Sequence, residues 1–365
     1  MDMDNNQLLD LMEQYERDGK GLSTLISDYR RGVASGKTPT GLNQWVLTDK
    51  PTMHDFNEDN RIIDAKLREL DAKNGDLDSA LQQLRNVQNR IYEGVDLTEK
   101  FAGEIAGDSW AWIQSRIRAG NYNGVNVGDF IPFTAAGNTL LAEVAGINTY
   151  TRYGDQEVGN HIDFISRDCW PETMGMNRVN YNNGTTASPS PWLASDLHAR
   201  LNSLQASVPN SEAANPAMLA VDYRTTGLFN QLPAALRAVI VQKRALLPTR
   251  FTAGALLTDD NSWAWQNAGL LWLPSEMEVY GANMWGNLNP VNPGFNVGGF
   301  VQYPIFANNM KRVKGAGHGG ARATWWLLSA RGGASTHFAS VTSGGIAYSI
   351  GASTALRVPV CFRVA

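Results

Sequence analysis

Eleven positions, Phe56, Asn60, Ile63, Leu67, Leu70, Asn74, Leu77, Leu81, Leu84, Gln88 and Ile91, alternate in spacings of four and three. That is the seam of a coiled coil, and it constrains the fold more than any other feature of the chain. The residues between them, among them Asp64, Lys66, Arg68, Glu69, Asp71, Lys73, Asp78 and Arg85, are almost all polar. A stripe that narrow is buried only by partner helices. Asn60, Asn74 and Gln88 weaken the seam but fix register, because a slipped neighbour leaves an amide unpaired. Gly75 costs about 1 kcal/mol relative to alanine. Self-association is therefore expected, through Ile63, Leu67, Leu70, Leu77, Leu81, Leu84 and Ile91. The alternative is an intramolecular hairpin with an amphipathic helix over residues 7–29. Asp55 reads as the cap of the seam helix, with Glu58 three residues on.

Charge separates this region from the rest. Residues 1–120 hold 21 Asp/Glu and 15 Lys/Arg, while the 245 residues that follow hold 14 and 16, with eight of the eleven Trp. Beyond a turn-rich boundary, GNYNGVNVGD at 120–129, short strands alternate with long Gly/Asn/Ser/Pro loops. Strands are expected at 129–133, 140–144, 162–166, 239–243, 270–272, 336–341, 346–350 and 357–364. Helices are expected at 101–120, 191–204, 232–238 and 275–280. The fold class is α+β, with N-terminal helices and a coiled coil followed by an irregular domain. The divisions are 1–50, an attachment segment; 51–125, stalk and neck; and 126–365, the C-terminal domain. No run is apolar enough to span a membrane, and the start, MDMDNNQLLDLMEQ, lacks the basic and then apolar character of a secretory signal. Synthesis in a cytoplasm without export or membrane insertion is expected.

Motifs for chemistry are sparse. GAGHGG at 315–320 satisfies G-x-G-x-x-G but lacks a following helix and any downstream acid, so it reads as a loop. His54, His161, His198, His318 and His337 show no metal-ligand spacing, and Cys169 and Cys361 cannot make a zinc site or a disulfide scaffold. Any bridge between the two cysteines is incidental. Glu276 and Glu278 point different ways on a short helix, and Asp259-Asp260 lies in a polar turn. Capping and solvation are expected to account for these acids, without a facing pair for glycan hydrolysis. Lys311, Arg312 and Lys314 are too small a cluster to track nucleic acid, and Arg357 and Arg363 are expected to pair locally. No catalysis, cofactor, metal or nucleic-acid partner is expected. What stands out is the stretch 324–354, TWWLLSARGGASTHFASVTSGGIAYSIGAST, whose rings, hydroxyls and glycines have the composition of a recognition surface.

The ordered segments WLASDLHARLN (192–202), FNQLPAALRAVIVQKRALLP (229–248), LLWLPSEMEVYG (270–281), YPIFANNMKRVK (303–314) and the closing WWLLSA to CFRVA (325–365) resemble an uncharacterised domain family of Firmicutes and their phages. That family is similar to the C-type-lectin-like fold of formylglycine-generating-enzyme-like proteins and of the variable proteins of diversity-generating retroelements. Arg357-Val358-Pro359 departs from the family's closing Arg-Pro by the interposed Val358. GLNQWVLTDKPTMHDFNEDNRIIDAKL (41–67) separately resembles the start of phage and prophage tail proteins. The resemblance implies a phage tail fibre, a homotrimer by analogy with fibres, held to tail or baseplate proteins at its N-terminus and located in the virion. Its lectin-like tip would attach to a bacterial surface receptor, glycan or protein, through Trp325, Ser329, Arg331, Ser335, His337, Thr342, Tyr348 and Ser349. Trp326, Phe338, Val341 and Val360 would be scaffold. No calcium-lectin signature is present, so metal-free recognition is implied, and the cysteine-dependent oxidase activity is not carried over. The alternatives are a surface-polymer depolymerase and a structural virion protein without a receptor.

Overall fold

The computed structural model describes residues 13–14, 17, 36–39, 41–44, 51–88, 92–206, 222–253, 255–260, 262–286 and 301–365. Contacts divide the chain into two units, Met1–Arg90 and Ile91–Ala365.

In the first unit, β1 (Gly36–Lys37) pairs antiparallel with β2 (Asn43–Gln44). The helix expected over 7–29 lies outside the described residues except for Glu13, Gln14 and Arg17, which are helical. The seam forms one helix, α1 (Met53–Gln88), of 36 residues, about 54 Å long at 1.5 Å per residue. It starts earlier than expected. Thr52 caps it, its hydroxyl accepting from the Asp55 N–H (3.4 Å) while the Asp55 carboxylate accepts from the Thr52 N–H (2.8 Å) and hydroxyl (2.6 Å). Asp55 is thus the reciprocal partner in the first turn and not the cap. The seam side chains Phe56, Ile63, Leu67, Leu70, Leu77 and Leu81 are 42–60% exposed. Leu84 lies on α1, its side chain outside the described set, and Ile91 lies outside the described residues.

The second unit opens with α2 (Leu97–Lys100) and α3 (Ser109–Arg118). Asp108 caps α3 by accepting from the N–H groups of Trp110 (2.9 Å) and Ala111 (3.0 Å). Trp110, Ile113 and Ile117 recur at helical spacing and are buried. The strands β3 (Phe130–Ala135) and β4 (Asn138–Ile147) form a hairpin whose two-residue turn, Ala136-Gly137, has positive φ at both positions (49° and 76°). This is the turn whose twist matches the strands. After β5 (Ile162–Ser166) come α4 (Pro191–Ala194), α5 (Asp196–Asn202), α6 (Leu228–Gln231) and α7 (Ala234–Val239). The chain continues through β6 (Ile240–Val241), β7 (Lys243–Thr249), β8 (Ser262–Gly269), β9 (Leu271–Trp272) and α8 (Glu276–Tyr280). It ends with β10 (Lys314–Gly315), β11 (Arg322–Ala323), β12 (Trp325–Ala330), β13 (His337–Val341), β14 (Ala347–Gly351) and β15 (Cys361–Val364).

The main sheet runs β3-β4-β5-β15-β6, with β9 also on β15, and every pairing is antiparallel. The last strand therefore sits inside the sheet and ties the two ends of the unit together. β12-β13-β14 form a second sheet, and β7-β8 and β10-β11 are separate hairpins. The fold is α+β, as expected. Trp110 meets Phe133, Phe164 and Phe362 edge-on at 5.7–6.3 Å, while Phe164 stacks on Phe362 at 5.3 Å. Because α3 supplies this cluster, the division falls at Arg90/Ile91, and the expected 125/126 boundary lies inside the unit. In the 315–320 segment Gly315 ends β10 and the rest lies in the turn of the β10-β11 hairpin, with positive φ at Gly317 and Gly319. Among the described residues, no helix is long and apolar enough to cross a membrane.

Candidate recognition face

Of the eight residues expected to meet a ligand, three come together where the turn after β12 meets β14. The Arg331 guanidinium lies 4.9 Å over the Trp285 ring, and its Nη1 donates to the Ser349 hydroxyl at 3.0 Å. Tyr348, 49% exposed, meets Trp285 edge-on at 6.4 Å. The backbone completes the arrangement. Gly286 bridges to Arg331, and the Gly332 N–H donates to the Trp285 carbonyl at 2.9 Å. A ring flanked by a cation on one side and a second ring on the other, on a backbone fixed at both sides, can bind a polar or aromatic group with little ordering cost.

Trp285 was not singled out from the sequence, and the residue that holds it, Glu276, was expected only to cap or be solvated. Glu276 is fully buried, and its carboxylate accepts from the N–H groups of Met284 (3.3 Å), Trp285 (3.0 Å) and Gly286 (2.7 Å). Burial raises its pKa and these three donors oppose the rise. The expectation that Glu276 and Glu278 serve capping and solvation is corrected. Glu278 does complete a capping box with Ser275, but it is buried, and so is Asp260. An aromatic residue inside the loop GANMWGN was the available signal for Trp285.

The other expected ligand residues are dispersed. Trp325 is a core residue, 0% exposed, stacked on Phe306 at 6.4 Å and donating its Nε1–H to the Arg312 carbonyl at 2.9 Å. Both faces of β12 are covered, so alternation does not bring it to the surface. Ser349 is buried too and acts only through Arg331. The Ser329 hydroxyl accepts from the Glu276 N–H at 3.0 Å, anchoring α8. Thr342 closes the β13-β14 turn, its hydroxyl accepting from the Ile346 N–H at 3.1 Å. The Ser335 carbonyl accepts from the Asn182 N–H at 3.0 Å. His337 is partly exposed, its Nδ1 2.8 Å from the Thr336 hydroxyl, and burial and the Arg331 charge lower its pKa. Trp326, Phe338, Val341 and Val360 are buried, the place expected of scaffold.

A second set of polar groups lies in the interior. Arg363 on β15 faces Asp163 on β5 and binds it with two hydrogen bonds of 2.7 and 2.8 Å. Burial raises the Asp163 pKa, but the guanidinium outweighs it and holds the carboxyl at about 2. Lys243 pairs with Glu278 and lies 3.9 Å over Trp272. The Tyr150 hydroxyl donates to the Glu278 carboxylate, and the Tyr303 hydroxyl donates to Asp163 at 2.9 Å. Each carboxylate is thus engaged by a cation and a phenol, which uses it as a structural acceptor. Arg363 is engaged inside the fold, but by a carboxylate 200 residues away and not by a local partner. Cys169 and Cys361 are free and buried. Among the described residues, no group of three or more His, Cys, Asp or Glu side chains is placed to hold a metal ion.

Compared with protein-family models, curated proteins and solved structures, the chain matches none.

Proposed function

We propose that this protein is a phage tail-fibre receptor-binding protein. Its C-terminal unit acts as a lectin-like head that attaches a particle to a bacterial surface ligand, and α1 bundles with copies of itself, as a homotrimer in the fibre reading. The observation that carries the proposal is the Arg331-Trp285-Tyr348 cluster, exposed in part and anchored from beneath by Glu276. The exposed apolar seam of α1 supports the oligomeric half of the reading. Several heads on one particle would turn weak contacts into firm attachment through effective concentration.

The test measures adsorption of labelled protein to a panel of Firmicutes cells. Arg331→Ala and Tyr348→Ala are expected to lower binding at least tenfold each. Unchanged adsorption by both would sink the reading in favour of a structural virion role. Release of soluble oligosaccharide from the same envelopes would favour a depolymerase.

A further inference from the structure

A cleft of about 230 Å³ opens in the second unit among Tyr150, Tyr153, Trp265, Arg244, Arg363 and the 154–159 loop, and it shares no residue with the Arg331 cluster. Two kinds of surface meet in it. Trp265 on β8 and Tyr153 are half-buried, and both rings line the cleft. Tyr153 is held edge-on against Tyr150 at 6.4 Å. Gly154 crosses beside the indole with φ of +124°, its Cβ direction 3.7 Å from Trp265. The loop therefore meets the indole at the outer atoms Cη2 and Cζ3.

The charges in the cleft are largely closed on one another. Arg363 is saturated by Asp163, and Arg244 binds Asp155 through Nε (3.0 Å) and Nη2 (2.5 Å), fastening the loop to β7. Glu157 adds a further carboxylate to the lining, which opposes an anionic ligand. Gln156 and Gln242, both exposed, add amides that donate and accept. A ligand that suits this cleft is uncharged, flat enough to lie on a ring, apolar on one face and ringed by hydroxyls. We infer that the cleft is a binding subsite for an uncharged pyranose sugar, with Trp265 as the stacking platform and the Gln156 and Gln242 amides as hydroxyl partners. The site is independent of the Arg331 cluster and does not rest on the function proposed for it.

Saturation-transfer NMR on the full chain tests this, with methyl glucoside, methyl galactoside and N-acetylglucosamine as probes and glucuronate as the charged control. At least one neutral sugar is expected to receive saturation in the millimolar range. Its apparent affinity is expected to fall tenfold or more in Trp265→Ala and several-fold in Gln156→Ala, with no change in Arg331→Ala. Gln156 lies on an exposed loop, so that variant keeps the test valid if Trp265→Ala fails to fold. The inference is overturned if none of the three sugars receives saturation at tens of millimolar, if binding survives the Gln156 and Trp265 changes, or if glucuronate binds as well as the neutral sugars. Loss of host adsorption in Arg331→Ala alone bears only on the other face.

Discussion

Arg250 is fully buried, and its guanidinium donates to the carbonyls of Arg331 (2.9 Å), Leu257 (2.7 Å) and Ala334 (2.9 Å). It therefore fixes the turn after β12 that carries Arg331. Its charged neighbour, Asp260, stands 3.7 Å from Nε, and burial pushes that carboxyl up to about 7 despite the Arg250 charge. An acid whose folded pKa is raised gives stability that is complete below its unfolded value, near 4. That stability is lost as pH rises through about 7. Wild-type stability minus that of Asp260→Asn should fall by roughly 1–3 kcal/mol between pH 4 and pH 8. Urea denaturation of both proteins at several pH values measures it, and a flat difference would remove the assignment. Glu276→Gln removes the negative charge on which the N–H groups of Met284, Trp285 and Gly286 converge and turns an amide NH2 toward the Trp285 N–H that also reaches Oε1 at 3.1 Å, and should cost about 1–3 kcal/mol. The same variant should weaken adsorption as strongly as Tyr348→Ala, because Trp285 loses its anchor. The thiols of Cys169, raised to about 12 by burial, and of Cys361, raised further, should resist a thiol reagent in the folded protein and react on denaturation.

At the scale of elements, legibility followed sequence locality. The 162–166 strand and the helices expected at 191–204 and 275–280 were readable because their apolar period acts within one strand or a few turns, although Ser195 breaks the first helix into α4 and α5. The β7-β8 hairpin was missed over most of its length: KRALLPT and SWAWQNAG mix charge, Pro248 and half-exposed rings, so neither run alternates cleanly. The buried partners of Glu278 and Asp163 were illegible for a different reason. Glu278 finds Lys243 35 residues away and Asp163 finds Arg363 at a separation of 200, and composition carries no trace of such pairings. Arg363→Met strands the Asp163 charge and should cost about 3–5 kcal/mol, whereas pairing it with Asp163→Leu should recover most of that loss. Chemical denaturation of the single and double variants reads the difference. On α1, the seam supports association only if its apolar positions meet partners. Leu67→Asp with Leu77→Asp is expected to reduce the sedimentation mass to that of one chain while leaving the second unit folded, and a wild-type chain already monomeric at micromolar concentration would dissolve the coil argument.

For the whole molecule, the two units divide the energetic labour unequally. Among the described residues, the buried cluster runs from Leu97 to Val364 in the second unit, whose last strand lies inside its main sheet. The first unit offers α1, whose apolar side chains are largely in water. A domain with a complete core folds without outside help, whereas a single narrow-striped helix gains stability only by association. A chain beginning at Tyr92 should therefore unfold cooperatively, with the near-ultraviolet dichroism of the full protein, since the Tyr92 hydroxyl bond to Asp129 is retained. Its intrinsic affinity for a soluble, monovalent ligand fragment should equal that of the full chain. On a surface that displays many copies of the ligand it should bind 10²- to 10⁴-fold more weakly, because removing α1 removes multivalency and nothing from the recognition face. Equal binding of both chains to the displayed ligand would mean that α1 does not multiply the head, and equal loss on both ligands would mean that the first unit takes part in recognition itself.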